Sequence, residues 1–438
     1  MVRIQQILDP GSFIEIGSMV SARGKEAEPE NTGDGVVTGY GTIDGAPVYV
    51  YAQDAAFLGG SLGEMHAKKI SKIYDMAITM KAPVIALLDC AGVRLNEAND
   101  ALFSFGRLFA HQAKASGIVP QITAIFGTCG GGMAVSAAMA DFVFMEKDSG
   151  KLFLHSPNAV VGNYEEKCDT ASAAYQASKT GICDFAGTAE EVCAGVRELI
   201  SLLPHSNVDD FSGIACDDDL NRAVAGIENL EDKSEMIAQL ADNGKFVELK
   251  KDFGKGVITG FMKLNGSTIG VIANASKLLC RSCCVKIERF VRFCDAFNLP
   301  VLTLVDVQGF KRNENNEKML PRELGRLTAA YAGISAPTVT VITGDAYGTA
   351  GTVMNSKAIG ADLVYAWPNA NLGIMEKSLL EGITDAVDAD VNSAVYNARR
   401  GYIDGIIDPA ETRQRLAAAF EMLYTKDAEL LPRKHTTV

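Results

Sequence analysis

Short runs of apolar residues without polar alternation recur along the chain, and segments with helical periodicity separate them. Two such runs, 82–89 and 299–306, end on an aspartate. Continuous apolar runs of this length predict strands that are buried on both faces. Segments 63–80 and 285–298 have the spacing of amphipathic helices. The alternation predicts a layered α/β fold in which helices connect the strands by right-handed crossovers.

Two distant segments predict the same β-hairpin. Residues 35–50 contain two apolar runs around Asp44-Gly45, and residues 256–271 contain two similar runs around Asn265-Gly266. Asp-Gly and Asn-Gly between strand-like runs are the strongest short hairpin signals. The chain therefore contains the beginning of the same domain twice.

The repeat continues beyond the hairpins. Pro83 and Pro300 begin matched strands, and Pro120 and Pro337 begin another matched pair; both pairs are 217 residues apart. Three matched segments in the same order indicate two copies of one domain. Between the copies, a stretch with five aspartates, 207–219, predicts a solvated linker, and a helix is expected at 233–240. The predicted organisation is an N-terminal domain 1–206, a linker and helix 207–244, and a C-terminal domain 245–438.

Each copy contains a glycine-rich turn between a strand and a helix. Strand 121–126 leads into Gly127–Met133, and strand 338–342 leads into Gly344–Gly351. N–H groups at a helix N-terminus favour a negative charge, and glycine lets an oxygen come close to the main chain. Phosphate binding, an oxyanion hole and simple close packing of helix on sheet are the alternatives.

The composition excludes several classes of function. The 41 basic and 54 acidic residues give a net charge of −13, so we expect no non-specific binding to nucleic acid. Residues 122–140 are uncharged, but four glycines near their centre predict a strand, a turn and a helix instead of a membrane span. Because the N-terminus shows no secretory signal, we expect a cytoplasmic protein that does not insert into a membrane.

The ten cysteines fit reduced thiols in a cytoplasmic protein. Cys280 and Cys283 form a single Cys-x-x-Cys pair without a second pair or a nearby histidine. We expect buried or half-buried thiols there, and no metal site.

Side-chain catalysis has little support in the sequence. The five histidines have no counterparts in the other copy, and no Gly-x-Ser-x-Gly or His-Glu-x-x-His motif occurs. Asp89 and Asp306 end equivalent strands, where an aspartate is most often a helix cap or a loop anchor. Two backbone anion holes without a general base suit a reaction with two developing anions, in which one reactant takes up the proton itself.

Several motifs resemble one enzyme family over nearly the whole chain. The sequence is similar to carboxyltransferase subunits of biotin-dependent acyl-CoA carboxylases and decarboxylases, of the propionyl-CoA, methylcrotonyl-CoA and glutaconyl-CoA type. The motifs that show this resemblance are Leu-Asp-Pro-Gly-Ser-Phe at 8–13, Gly-Asp-Gly-Val-Val-Thr-Gly at 33–39, Gly-Gly-Ser-Leu-Gly-Glu at 59–64, Arg-Phe-Val-Arg-Phe-Cys-Asp-Ala-Phe-Asn at 289–298, Ala-Trp-Pro at 366–368, and the segment 400–413.

The resemblance implies two tandem crotonase-like (ClpP/crotonase) α/β domains, each a spiral of ββα units. It implies that acyl-CoA binds to the first domain, and that biotin, attached to a separate carrier protein, binds to the second. Active sites would lie at the interface of a homodimer or higher homo-oligomer. A biotin carboxylase or a membrane decarboxylase subunit would be a further partner. The implied catalytic residues are Gly131 and Gly132 for the thioester oxygen and Gly348, Thr349 and Ala350 for the biotin oxygen, and the implied ligand-binding residues are Gly92, Gly130, Gly131, Tyr347 and Gly348.

The second turn departs from the family pattern. The family usually has Gly-Gly-Ala-Tyr after the tyrosine, whereas this chain has Gly348-Thr349-Ala350-Gly351. A glycine at 351 is expected to open room beside the threonine, so that the altered site still functions. Two alternatives remain: a crotonase-type acyl-CoA hydratase or hydrolase, and a non-catalytic subunit of a carboxylase complex, for which Thr349 is the main argument.

Overall fold

The structure is a computed structural model, and it describes residues 2–23, 33–161, 169–209, 216–384, 390–428 and 437. The chain forms two compact units, Met1–Asp210 and Phe211–Val438. The predicted linker segment 207–244 contains the expected helix, and its apolar side chains from Val224 to Leu240 belong to the core of the second unit. Residues 210–215 of that segment lie outside the described residues.

In the described part of the first unit, eight strands form one sheet with the order β1-β2-β3-β4-β5-β6-β8, and β7 pairs with β5. Strands β1 to β3 are antiparallel, and the other pairs are parallel. The strands are β1 Ile14–Glu15, β2 Val36–Ile43, β3 Ala46–Gln53, β4 Val84–Cys90, β5 Gln121–Gly130, β6 Phe142–Glu146, β7 Lys151–Phe153 and β8 Phe185–Gly187. The helices are α1 Val2–Ile7, α2 Glu64–Met80, α3 Ala98–Ala115, α4 Gly132–Met139, α5 Ala173–Tyr175 and α6 Ala189–Leu202.

The second unit repeats this arrangement. Its main sheet has the order β18-β16-β15-β13-β11-β10-β9, with β17 paired to β15, and β12 and β14 form a separate two-stranded sheet. The strands are β9 Phe246–Leu249, β10 Val257–Leu264, β11 Ser267–Asn274, β12 Leu278–Leu279, β13 Val301–Val307, β14 Gly309–Phe310, β15 Thr338–Tyr347, β16 Leu363–Ala366, β17 Asn371–Gly373 and β18 Gly405–Ile406. The helices are α7 Lys233–Leu240, α8 Arg281–Ala296, α9 Glu314–Glu317, α10 Leu320–Ala332, α11 Gly348–Val353, α12 Lys377–Glu381, α13 Ala394–Arg399 and α14 Thr412–Leu423.

The predicted hairpins β2–β3 and β10–β11 are confirmed. Asp44 and Gly45 have φ values of 51° and 81°, and Asn265 and Gly266 have 53° and 77°. Two consecutive positive φ angles are the requirement of the type I′ turn, which matches the twist of the strands. The predicted helices are also found, although α8 begins four residues earlier than the pattern indicated and β5 and β15 extend further.

An aspartate holds each hairpin turn in place. Asp242 accepts hydrogen bonds from the N–H groups of Asn265 and Gly266 at 3.1 and 2.8 Å. The guanidinium of Arg413, which is completely buried, donates to the same carboxylate at 2.5 Å. Asp9 plays the equivalent part in the first unit, where its partner is Arg197. A buried charge is stable only when it is paired in this way.

Each unit has its own apolar core. The first is formed mainly by strands β3 to β6 with helices α2 to α4, and the second by β10, β11, β13 and β15 with α7 and α14. Among the described residues, no helix combines the length and the apolar character needed to cross a bilayer. Segment 122–140, which raised that question, forms β5, the glycine turn and α4, as predicted.

Candidate functional site

The first glycine turn reverses the chain between β5 and α4. Gly131 has φ 57° and ψ −125°, a conformation that side chains other than glycine rarely adopt. Its N–H donates to the carbonyl of Phe153 in β7 at 3.0 Å, and its carbonyl accepts from Ala134 at 3.1 Å. Gly132 is the first helical residue, so its N–H has no acceptor within the helix. Gly131 therefore shapes the turn, and its own N–H is already engaged.

The two glycines differ in their surroundings. A Cβ atom on Gly131 would meet no atom within 4 Å, whereas one on Gly132 would lie 2.7 Å from the ring of Phe105 in α3. Gly132 is thus required by close packing of α4 on α3, while the space next to Gly131 is open. A side chain at 132 would disturb this packing as well as any ligand.

Aspartates at the ends of β4 and β13 hold the two turns against their sheets. Asp89 accepts the N–H of Thr128 at 3.1 Å, and Asp306 accepts the N–H of Asp345 at 2.9 Å. A Cβ on the adjacent Gly127 would lie 2.2 Å from the Asp89 carboxylate. These aspartates are loop anchors, as the sequence predicted.

Gly92 lies beside the first turn, in the loop that follows β4. A Cβ on Gly92 would be 3.5 Å from the carbonyl oxygen of Gly130, and the φ of Gly92 is 120°. The carbonyl of Gly92 accepts the N–H of Leu62 at 2.9 Å, which connects the loop to the segment before α2. The resemblance implied Gly92, Gly130, Gly131 and Gly132 as site residues of the first domain. The structure places these four glycines next to each other.

A buried network of side chains, which the sequence motifs did not predict, fixes this loop. Arg94 is 2% exposed, and its guanidinium binds the carboxylates of Asp34 and Glu97 and the carbonyl of Ser61. Burial raises the pKa of Asp34 although the charge of Arg94 opposes the shift. Only the fold reveals that residues so far apart in the chain form one cluster.

His66 in α2 belongs to the same region. Its Nδ1 is 2.9 Å from the carbonyl of Asp34, and its Nε2 is 3.2 Å from Nε2 of Gln53. Complete burial, helped by the positive charge of Arg94, lowers the pKa of His66 to about 3. The ring is therefore neutral at physiological pH, with Nδ1–H as the donor to Asp34, and its role is to support the loop.

The second turn lies at the equivalent place in the second unit, between β15 and α11. Gly348, the first residue of α11, has φ 56°, close to the 57° of Gly131, so positive φ ends there and Thr349 is the next residue of the helix. Thr349 has no positive φ, and its side chain is exposed. Ala350 is buried, at 1% exposure, and Tyr347 is buried at the end of β15. The backbone conformation at 349 is thus one that threonine adopts without strain.

Gly351 packs closely on the end of β15, and the expectation that it opens room beside Thr349 stays a prediction. A Cβ at 351 would lie 2.6 Å from the carbonyl carbon of Ala346 and 2.8 Å from its oxygen. Here glycine lets the first turn of α11 come into contact with the end of β15. A larger residue at 351 would therefore disturb the packing of α11 against β15.

A cavity of about 310 Å³ lies beside the second turn, within the second unit. Its lining includes Gly348, Gly351, Thr352, Leu372 and Tyr402. This volume is at the lower end of the range for small-molecule sites.

Charged groups cluster at the carboxyl ends of β13 and β15. Lys277 Nζ binds the carboxylate of Asp306 and lies 3.2 Å from that of Asp345, which also accepts from Gln308 at 2.9 Å. Burial alone would lower the pKa of Lys277, but its bonds to the two aspartates outweigh this and raise it. The lysine is a cation at physiological pH and is engaged in holding the turn.

Comparison with known proteins identifies the family. A model described as the carboxyl transferase domain matches residues 1–384. The chain belongs to the carboxyl transferase family. Methylmalonyl-CoA decarboxylase subunit alpha of Veillonella parvula is 36% identical to this carboxyltransferase over 468 residues, covering 100% of this chain and 92% of the relative. Propionyl-CoA carboxylase beta chain of Roseobacter denitrificans is 38% identical over 473 residues, with the same shares.

A solved structure agrees over the full length of the carboxyltransferase. The transcarboxylase 12S hexamer with hydrolysed methylmalonyl-CoA bound has a TM-score of 0.93 and 31% identity, and the match covers 100% of this chain and 91% of that one. The predicted α/β fold of tandem crotonase-like domains is confirmed. The predicted enzyme class, a biotin-dependent acyl-CoA carboxyltransferase, is confirmed as well.

Proposed function

We propose that this protein transfers a carboxyl group between biotin on a separate carrier protein and an acyl-CoA, using one glycine turn for each reactant. The observation behind this division is that both units place a left-handed glycine, Gly131 or Gly348, at equivalent strand-to-helix junctions. Two matched anion sites on one chain suit a reaction in which negative charge develops on two reactants.

The first turn is proposed to hold the acyl-CoA thioester. The N–H of Gly132 would donate to the thioester oxygen as it becomes an enolate oxygen, and the dipole of α4 favours that negative charge. The Gly131 N–H is already bonded to Phe153, so we assign Gly131 to shaping the turn and leaving the approach open. Gly92 and Gly130 would border the bound thioester.

The second turn is proposed to hold the biotin oxygen. Biotin, when bound, supplies the carboxyl group and accepts the proton of the acyl-CoA. The N–H of Thr349 stands where that of Gly132 stands in the first unit, and the N–H groups of Thr349 and Ala350 open α11 without acceptors within the helix. Gly348 leaves the main chain accessible, and Tyr347 would border the ring.

We propose a short-chain acyl-CoA of the propionyl-CoA or methylmalonyl-CoA type as the substrate. Relatives named for these two substrates match at 35–39% identity over the entire chain. The transcarboxylase 12S structure, with hydrolysed methylmalonyl-CoA bound, supports the same substrate class.

The proposed partners are a biotin carrier protein and either a biotin carboxylase or a membrane decarboxylase subunit.

We also propose a homo-oligomer of at least two chains, with active sites between protomers. Leu102 and Phe103 in α3 are 64% and 71% exposed, and apolar side chains of this size favour burial in an interface. The solved transcarboxylase 12S is described as a hexamer.

The test is transfer of labelled carboxyl from methylmalonyl-CoA to biotin. Purified protein is incubated with carboxyl-labelled methylmalonyl-CoA and either free biotin or a biotinylated carrier domain, and the label on biotin is measured. We expect transfer that depends on biotin and on the protein. Consumption of the acyl-CoA at the same rate without biotin would refute the proposal and favour a crotonase-type hydrolase. Light scattering on the same sample tests the oligomer, which a monomer with full activity would contradict.

A further inference from the structure

Two cysteines at the start of α8 lie against each other. Cys280 is the N-cap residue of the helix and Cys283 lies in its first turn, with their Sγ atoms 2.9 Å apart. Cys283 is fully buried, whereas Cys280 is partly exposed. A disulfide bond is about 2.05 Å long, so bond formation requires an approach of less than roughly 1 Å. Neither cysteine has a part in the proposed transfer.

The surroundings of Cys280 favour its thiolate. The hydrogen bond from Cys283, the N–H groups at the start of α8 and the positive charge of Lys311 outweigh burial and lower the pKa of Cys280 to about 6. The same interaction and burial raise the pKa of Cys283. Cys284, next in the chain, is buried near Glu323, and its pKa is raised to about 12. At physiological pH Cys280 is therefore the nucleophile of the group and Cys283 its protonated neighbour.

We propose that Cys280 and Cys283 are a redox-active dithiol that closes reversibly to a disulfide. The oxidant is a small-molecule disulfide such as oxidised glutathione. The Cys280 thiolate attacks one sulfur of that disulfide, forming a mixed disulfide and releasing one thiolate. Cys283 loses its proton to solvent and attacks Sγ of Cys280, and the second small-molecule thiolate leaves. Two protein thiols are oxidised, and one external disulfide is reduced to two thiols.

The fold supports an exchange reaction more than a metal site. Among the described residues, no cluster of three or more histidine, cysteine, aspartate or glutamate side chains could hold a metal ion. On its buried side, Cys283 Sγ lies 3.7 Å from the carbonyl oxygen of Gly254. The partly exposed Cys280 gives the external disulfide access to the pair.

The experiment is differential alkylation of the full-length protein. Protein equilibrated in glutathione buffers of increasing oxidised fraction is acid-quenched and alkylated, then reduced and alkylated with a second reagent, and the peptide with both cysteines is quantified by mass spectrometry. We expect a two-electron transition to the Cys280–Cys283 disulfide. Cys283→Ala should stop at a stable mixed disulfide on Cys280, and Cys280→Ala should remove the reaction. Cys216→Ala, a partly exposed cysteine elsewhere in the second unit, should change nothing.

A second measurement tests the thiolate without oxidation. The alkylation rate of Cys280 should rise with pH around 6, and in Cys283→Ala this rise should move towards the ordinary cysteine value of about 8.5. Circular dichroism shows that each variant is folded. The proposal is overturned if both thiols remain free in excess oxidised glutathione, or if wild-type protein accumulates the mixed disulfide without closing. Stoichiometric zinc binding that Cys280→Ala abolishes, without any disulfide formation, would also overturn it.

Discussion

Replacing Thr349 with proline removes one backbone N–H from the second turn and changes little else. Thr349 is the first residue of α11 with a helical conformation, since Gly348 before it has φ 56°. Proline is favoured at the first helical position, because its N–H would have no partner in the helix and its φ of about −65° suits the helix. The Thr349 side chain is exposed, so its loss costs little packing.

The magnitude follows from the proposed role of this N–H. Removal of one donor from an oxyanion hole typically lowers the rate by roughly 10²–10³-fold, or about 2.7–4 kcal/mol of barrier. Thr349→Ala is the matched control, because it removes the same side chain and keeps the N–H. We expect transfer from methylmalonyl-CoA to free biotin to fall by roughly 10²–10³-fold in Thr349→Pro, and to stay within about threefold of wild type in Thr349→Ala.

The assay separates this effect from simple unfolding. Circular dichroism and thermal unfolding should give the same profile for both variants, and acyl-CoA binding to the first unit, measured by calorimetry, should be unchanged. A proline variant that is folded and transfers as fast as the alanine variant would refute the role of the Thr349 N–H. A gain of tenfold or more in Thr349→Gly would instead show that the threonine side chain obstructs biotin.

Three further predictions concern stability. Gly351→Ala should lower the free energy of unfolding, measured by urea titration, by about 1–3 kcal/mol, because its Cβ would overlap the end of β15. Gly325→Ala is the control at an open position of α10, and it should raise the free energy of unfolding by about 0.5–1 kcal/mol in the same assay. His66 is neutral when folded and has its ordinary pKa when unfolded, so it contributes stability that is lost as the pH falls below about 6.5 towards 3. His66→Gln should therefore reduce the slope of unfolding free energy against pH by about 1.4 kcal/mol per unit between pH about 4.5 and about 6, and an unchanged slope would contradict this. Arg413→Met should cost about 3–5 kcal/mol, because it leaves Asp242 buried without its cation, and a loss under about 1 kcal/mol in chemical denaturation would argue against the pair.

Local patterns in the sequence were sufficient to predict the repeat, the hairpins and the existence of the two turns. Asp44-Gly45 and Asn265-Gly266 adopt the positive φ angles that those residue pairs favour. The constant separation of 217 residues places Gly131 and Gly348 at equivalent positions, and both have the left-handed φ that only glycine adopts readily. These features depend on neighbouring residues, and neighbouring residues are what a sequence displays directly.

The tertiary structure decided which of the turn's groups are available. The N–H of Gly131 is occupied by Phe153, which lies 22 residues further along the chain, and the space at Gly132 is filled by Phe105 of another helix. The close contact of Gly351 with the backbone of Ala346 is likewise visible only in the folded chain. Whether a backbone N–H in a turn already has an acceptor depends on atoms that folding brings near from elsewhere in the chain. The same holds for whether a position requires glycine. Neither property exists before the sheet and its helices have packed.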